Sequence, residues 1–476
     1  MSIRKSIETE KLKVFSVMWA ITVLSHLITF DDWIEVPYYL GYTLAALCIA
    51  LLLRPGSMVI FILAVINSIA LSFQKMPFIP NHMMYEWLIN IPLLLYLIIA
   101  VIKEKRNSVG ADRLFIWVFE PVAQWGLLIL YFFVVFHKLN FGFFDVDHSC
   151  GVFLFEGIIH RVNQLLQLLN LPLVSLTTPL KYISIYSTII IEAIIPIFLF
   201  TRRFRTTGIF IGLIFHFLLS LHAHLGIFSF SLMMYTYYVF FLPETFFTWI
   251  RNFRVNSITL YLRIILSTIV IGFFLIYKYY GYWVYYLTGQ VLWYVIGVAC
   301  IVIYLIFLRS INRIYESELF RIGFPGYAGL VFLFFITING FSPYLGLKTE
   351  TSYAMFSNLK TENDSNNHIL MPEWLQVFDF QKDLVEITDS NVKYVKSDYY
   401  HEGRPRLFTN FEVQRIIRNL NPGEKVSFKS GNTIYTIENK DGVINKSESV
   451  KNYSYFTYKF LLFRPVYPGE ISFCQH

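Results

Sequence analysis

Tyr131-Phe132-Phe133-Val134-Val135-Phe136-His137-Lys138-Leu139-Asn140 decides how this chain is read. The run closes more than twenty predominantly apolar residues, enough to cross a bilayer's hydrocarbon core of roughly 30 Å. A lysine at the end of such a segment is one of two things. It is an anchor whose stem snorkels to the headgroups, or a desolvated amine that works as a base. Both readings stay open on the residues alone.

The rest of the chain resembles that segment. Of 476 residues, 56% are hydrophobic and only 15% charged, and mean hydropathy is +0.53. An ordinary soluble domain does not have this balance. Apolar spans fall near 12–30, 37–53, 57–73, 83–102, 114–136, 179–201, 207–224, 226–242, 258–278, 290–308 and 326–342. The expected fold is therefore a polytopic α-helical membrane bundle of about 9–11 spans, several of them close to the short limit. The stretch 207–242 also reads as a hairpin or a re-entrant pair.

Charge orders these spans. With the N-terminus in the cytoplasm, the dense basic clusters all alternate onto the inner side, as the positive-inside rule requires. They are Arg54, Lys103-Glu104-Lys105-Arg106 with Arg113, Arg202-Arg203-Phe204-Arg205, Arg251 with Arg254, and Arg309 through Arg321. The outer side receives Asp31-Asp32, Lys75 with His82, Lys138 with Asp145 and Asp147, His222 with His224, and Lys278. The net charge of +7 thus belongs to topology and gives no reason to expect a nucleic-acid partner. The expectation is a multi-pass protein of the cell inner membrane with a cytoplasmic N-terminus and an extracytoplasmic C-terminal domain. The basic N-terminus, without a small-residue cleavage site, reads as a retained first span.

After about residue 345 the pattern changes. Val426-Ser427-Phe428-Lys429 and Thr433-Ile434-Tyr435-Thr436-Ile437 alternate apolar and polar, with turn signals at Asn421-Pro422-Gly423 and Asp441-Gly442. Residues 1–345 are expected as the membrane domain and 346–476 as a β-rich extramembrane domain, with a short helix over 411–420. Cys48 and Cys300 lie in apolar runs and read as packing residues. Cys150 and Cys474 lie in polar segments, and a disulfide between them is open in an oxidising compartment.

Few residues here can carry chemistry. Lys138 has His137 before it and Asp145, Asp147 and His148 behind it. Burial lowers a lysine's pKa and makes it a competent general base. His216 lies within a span, where polar side chains face the bundle interior. His222-x-His224 follows, but two histidines two apart do not share a helix face, and no HExxH accompanies them, so no metal is expected. Glu120 and Glu192 are intramembrane acids near Pro121 and Pro196. Glu120 reads as a structural brace. Residues 151–170 set Glu156, His160, Asn163, Gln164 and Gln167 against an apolar stripe, an amphipathic helix on the membrane that could roof a pocket.

These pieces together resemble a family. Tyr131 to Asn140, ending Lys138-Leu139-Asn140, is similar to the segment of vitamin K-dependent gamma-glutamyl carboxylases that ends in Lys-Leu-Asp or Lys-Leu-Asn. His216 through Phe230, with Gly226-Ile227-Phe228-Ser229-Phe230, resembles that family's His-to-Ile-Gly-Met-Phe signature. Ile191-Glu192-Ala193-Ile194-Ile195-Pro196 looks like the acid-then-proline span of the wider horizontally transferred transmembrane (HTTM) domain group. Pro343 to Thr349, Ala354 to Leu359 and Asn367-His368 look like the segment that opens the extramembrane domain in bacterial members. Leu219 and Ser220 depart from the carboxylase pattern, which has an amide residue one turn after the histidine.

The resemblance implies a carbon–carbon lyase of the carboxylase type. Lys138 would deprotonate a reduced vitamin K-type quinone such as menaquinol, and O2 and CO2 would be co-substrates. A strong base made in a water-excluding cavity would remove a γ-proton from a glutamate side chain. Lys138 and His216 are then the candidate catalytic residues. His137, His160, Glu192, Ser220, His222 and His224 are the candidate lining of the quinone or substrate pocket. The expected partners are the lipid bilayer, the quinone and a secreted or periplasmic protein or peptide. The rival reading is a non-catalytic HTTM protein that binds a quinone or a partner. A transporter is disfavoured by sparse intramembrane charge and the lack of an evident inverted repeat.

Overall fold

The structure is a computed structural model. It describes residues 2–30, 39–104, 110–222, 224–253, most of 261–272, 282–311, 322–362, 366–398, 400–401, 404–444, 453–469 and 474. The expected span 258–278 and the loop residues Asp31, Asp32, Lys105, Arg106, Arg254, Lys278 and 312–321 lie wholly or mostly outside these.

Long apolar runs become long helices, even through Pro92, Pro121 and Pro196, because an α-helix pairs its backbone polar groups within its own segment and neighbouring helices cover those a proline frees. In chain order they are α1 (Ser2–Thr29), α2 (Leu40–Leu53), α3 (Met58–Lys75), α4 (Asn81–Glu104) and α5 (Ala111–His137). A one-turn α6 (Phe141–Phe144) leads to α7 (Cys150–Leu168), α8 (Thr178–Phe200), α9 (Arg205–Leu219) and α10 (Leu225–Tyr238). The bundle closes with α11 (Glu244–Phe253), α12 (Tyr282–Ser310) and α13 (Gly326–Phe341). Six helices among the described residues are long and apolar enough to cross a membrane: most of α1, then α3, α4, α5, α8 and most of α12.

Six, or seven if a bent pair of helices crosses as one, is fewer than the 9–11 expected from hydropathy, with the expected span 258–278 mostly outside the described residues. The runs at 37–53, 207–224 and 326–342 form helices of 14, 15 and 16 residues, which rise only about 21–24 Å. The run at 226–242 is helical through Phe241, and the chain then turns by 101° into α11, so the two helices together form a bent pair. Hydropathy counts apolar residues, whereas spanning also needs an unbroken axis.

The core runs along α1, with Phe15 and Trp19 fully buried against Phe61, Phe119 and Phe240. Close helix approach is set by Gly340 in α13. A Cβ there would fall 2.3 Å from the Phe133 ring of α5. At the end of the bundle holding the N-terminus, Lys11 pairs with Glu120 at 2.8 Å, so Glu120 has a brace for a partner.

Residues 342–383 pack over the opposite end of the bundle. Beyond them a five-stranded antiparallel sheet has the order β4-β1-β5-β6-β7. Its strands are β1 (Leu384–Ser390), β4 (Leu407–Thr409), β5 (Lys425–Ser430), β6 (Thr433–Lys440) and β7 (Val443–Ile444). A separate pair joins β2 (Tyr400–His401) to β3 (Arg404–Pro405). Alternation places Val426 and Phe428 of β5 inward, against the helix α15 (Asn410–Arg418), itself preceded by the one-turn-and-a-half α14 (Lys393–Asp398). Thr409 caps α15 by accepting from Glu412 N. The sheet domain is bolted to the bundle by α16 (Tyr455–Phe460). There Lys459 Nζ donates to the carbonyls of Phe73, Gln74 and Met76 at 3.3, 2.8 and 2.9 Å, at the C-terminus of α3, where orphan carbonyls favour a cation.

Cys150 and Cys474 are joined in a disulfide, with Cα atoms 4.9 Å apart across 324 residues. It ties the C-terminal segment to the start of α7.

Candidate functional site

Lys138 is the residue at which α5 ends. Its stem curls back over the last turn, so that Nζ donates to Val134 O at 3.3 Å, one of the helix's unpaired carbonyls. Its second partner is Glu192 of α8, with Nζ and Oε2 2.7 Å apart. The two side chains are only 3% and 8% exposed. That number speaks against one of the sequence readings: an anchor snorkelling to headgroups would be wet, and this amine is dry.

The turn that follows keeps it so. Asn140 Nδ2 donates to His137 O and to Ser357 O, each at 2.6 Å, while its Oδ1 accepts from Phe143 N. Asn140 therefore caps α6 and holds the lysine turn against the segment after α13. That segment answers in kind. Asn367 O accepts from Phe141 N at 3.0 Å, Leu139 O accepts from Ile369 N at 2.9 Å, and His368 Nε2 donates to Phe136 O at 2.8 Å. The Lys-Leu-Asn motif and the Asn367-His368 motif are thus two halves of one clamp over the end of α5.

His137 turns the other way. Adjacent helical residues lie about 100° apart, and its ring stacks near Phe133 and Tyr344. Nε2 donates to Ser352 O at 3.0 Å, which leaves Nδ1 to accept from Tyr344 Oη at 2.8 Å. It locks the loop and does not face Lys138.

His216 lies deeper. It is 1% exposed, and its Nε2 is 2.8 Å from Tyr131 Oη, which in turn bonds Tyr238 Oη. Its Nδ1 has no hydrogen-bond partner among the described residues. Tyr131 precedes Lys138 by seven residues on α5, so both fall on the same face, about 10 Å apart along the axis. Tyr131 is the hydrogen-bond partner of His216 on the helix that ends in Lys138, and sequence reading missed it. The i, i+7 spacing to Lys138 was the available signal.

Beside Tyr131 is an apolar groove of about 430 Å³ between α5 and α8. Val135, Leu139, Ala193 and Pro196 line it, and the half-exposed Phe132 and Ile197 form its rim. Ala193 and Pro196 flank Glu192 in sequence, and Val135 and Leu139 flank Lys138. Neither Lys138 nor Glu192 lines the groove, although both belong to or adjoin the two helices that form it.

The other expected lining residues are elsewhere. Ser220 donates to Phe217 O at 2.7 Å and accepts from Trp293 Nε1. His222 Nδ1 accepts from His224 N at 2.9 Å, and its ring covers Gly157 of α7 so closely that a Cβ there would sit 2.0 Å away. His224 accepts from Gly226 N at the start of α10. His160 is exposed on α7, 3.1 Å from Gln164. The buried stripe of α7 runs through Val152, Leu154 and Ile159, and His160 is rotated off it, so it does not join the groove.

A second buried polar group was also missed. His26 Nε2 pairs with Glu86 Oε2, the His26 and His82 rings are 5.3 Å apart, and His82 Nε2 meets Ser229 Oγ at 3.0 Å. His82, Glu86 and Asn90 recur every four residues on α4, a helical spacing that marks one face. Among the described residues no three His, Cys, Asp or Glu side chains converge as a metal site.

No protein-family model, curated protein or solved structure matches this chain.

Proposed function

We propose that this chain is a vitamin K-dependent gamma-carboxylase-like membrane enzyme of the HTTM kind, in which the Lys138–Glu192 pair takes the proton of a reduced quinone such as menaquinol. The observation that carries the reading is a desolvated amine–carboxylate pair held between two membrane-length helices, α5 and α8, which also form an apolar groove between them. A greasy aromatic ring partitions into the bilayer and would reach that groove sideways. The pair, ammonium beside carboxylate, accepts one proton and becomes ammonium beside carboxylic acid. The charge left on Nζ then offsets the anion it has created. In that step Glu192 is the proton acceptor and Lys138 stays an ammonium that stabilises the new anion, and in a water-excluded site that electrostatic help is stronger than in solution. His216, through Tyr131, supplies hydrogen bonding at the deeper end of the groove. In the chemistry the resemblance implies, O2 converts the quinone to its epoxide while a glutamate side chain loses a γ-proton and takes up CO2.

The same reading places the protein as multi-pass in the cell inner membrane, with the N-terminus inside. Disulfides persist in oxidising compartments. The Cys150–Cys474 bond lies at the end of the bundle that carries Lys138, which supports an extracytoplasmic site for a secreted or periplasmic peptide substrate.

The test uses purified full-length protein in lipid nanodiscs with menaquinol, O2, bicarbonate and a glutamate-containing peptide. Epoxide and carboxylated peptide are expected, both lost in Lys138→Met and Glu192→Gln. Epoxide without carboxylation would remove the carboxylase half. Neither product from the wild type would reject the enzyme. A second reading, quinone binding without turnover, is favoured by one observation: Nζ already donates to both Glu192 and Val134. It expects menaquinol to bind with no product.

A further inference from the structure

On the other flank of α5 lies a second cavity, and it has a different polar end. It opens between α4 and α13, with a volume of about 430 Å³. Leu88 and Ile91 form one wall, Phe332 and Phe335 the other, and Phe460 with Leu461 of the extramembrane domain covers the end. From Phe332 to Ser342 the cavity follows ten residues of α13, about 15 Å. That is half the roughly 30 Å hydrocarbon core, the depth of one leaflet. Phe335, at the rim, is 55% exposed, so the wall is open on the face the helices turn outward.

At the covered end is Lys348, which follows the last membrane helix. It is 5% exposed, lines the cavity, and makes one hydrogen bond among the described residues, from Nζ to Thr351 Oγ1 at 2.9 Å. An ammonium carries three donors. No carboxylate among the described residues lies within ion-pair distance of it, although Glu350 acts on it from further away. A buried charge without a counter-ion is costly. Burial accordingly holds this amine down at about 7, with Glu350 working in the opposite direction. Asn339 and Ser342 add polar atoms beside it. A deep apolar slot one leaflet long, closed by an amine with unused donors, has the shape and charge of a receptor for a single-chain amphiphile with an anionic head.

We propose that the α4–α13 cavity binds the acyl chain of an anionic amphiphile, with its carboxylate or phosphate on Lys348. The head is either that of a free long-chain fatty acid or that of an anionic phospholipid. The chemistry is shared, and the experiment separates the two sources. The site is independent of the Lys138–Glu192 groove, and its test contains no quinone.

Purified full-length protein is photolabelled with diazirine-bearing palmitic acid, with the matching alcohol, and with diazirine-bearing phosphatidylglycerol and phosphatidylcholine. Labelled peptides are then mapped by mass spectrometry. Label from an anionic probe is expected on the α4 and α13 peptides, at least fivefold above its neutral counterpart. It should fall at least fivefold in Lys348→Met, and also in Leu88→Trp, which fills the slot and keeps the amine. Label from the acid names a fatty acid as ligand, and label from phosphatidylglycerol alone names a lipid headgroup. Equal labelling by acid and alcohol, and by the two phospholipids, would overturn the proposal on the wild-type protein, whatever the variants do. So would labelling unchanged in both variants.

Discussion

Removing one member of the Lys138–Glu192 pair should damage the protein more than removing both. At 2.7 Å, two unit charges attract by roughly 6 kcal/mol at an effective dielectric constant of about 20. That gain offsets the several kcal/mol each ion loses on leaving water. Glu192→Gln leaves the ammonium buried against Val134 O alone, and Lys138→Met leaves the carboxylate without its cation. Each single variant should lose about 3–5 kcal/mol of stability. Lys138→Met combined with Glu192→Leu replaces both charges by apolar volume and should recover most of it, a coupling of about 2 kcal/mol or more. The assay is reversible unfolding of the four proteins in mixed micelles, followed by tryptophan fluorescence. Single variants within 1 kcal/mol of wild type, or a double variant equal to the sum of the singles, would show that the pair is not a desolvated unit. The double variant also separates folding from chemistry, because it should be stable and yet form no epoxide.

Three other outcomes follow from the same structure. Cys474→Ser should free the C-terminal segment and, by loop entropy over 324 residues, cost up to about 5–6 kcal/mol relative to a fully flexible unfolded chain. In intact cells a membrane-impermeant maleimide should label Cys150 in that variant and not in wild type. Lys459→Met removes a cation that three carbonyls at the end of α3 accept from. It should cost about 1–3 kcal/mol and speed proteolytic release of the sheet domain. Lys348 sets a pH dependence. Its folded-state value of about 7 lies below the ordinary 10.5, so its stabilising contribution is complete above pH 10.5 and is lost as pH falls through 7. Binding an anion there should reverse this by drawing a proton onto the amine. Affinity should therefore weaken as pH rises above 7, and calorimetry in two buffers of different ionisation enthalpy should register proton uptake.

Much of the architecture was legible before any coordinates. Hydropathy marked the regions of α1, α3, α4, α5, α8 and α12, and alternation marked β5 and β6, because apolar content and period are local properties. The expected short helix over 411–420 corresponds to α15. The failures share a cause. The runs at 37–53, 207–224 and 326–342 were counted as spans because composition does not register that their helices end after 14 to 16 residues. His137 was grouped with Lys138 because they are neighbours in sequence, yet a helix points neighbours to different faces.

What the amino-acid order determined by itself is the membrane-type composition, the helical runs, the change at residue 345 and the singular position of Lys138. Tertiary structure alone decided the partners of that position. Glu192 is 54 residues away, His216 is 85 residues from Tyr131, and Cys474 is 324 from Cys150. Which side chain meets which depends on the rotation and crossing of packed helices. A buried charge acquires its character only from the partner that such packing brings to it.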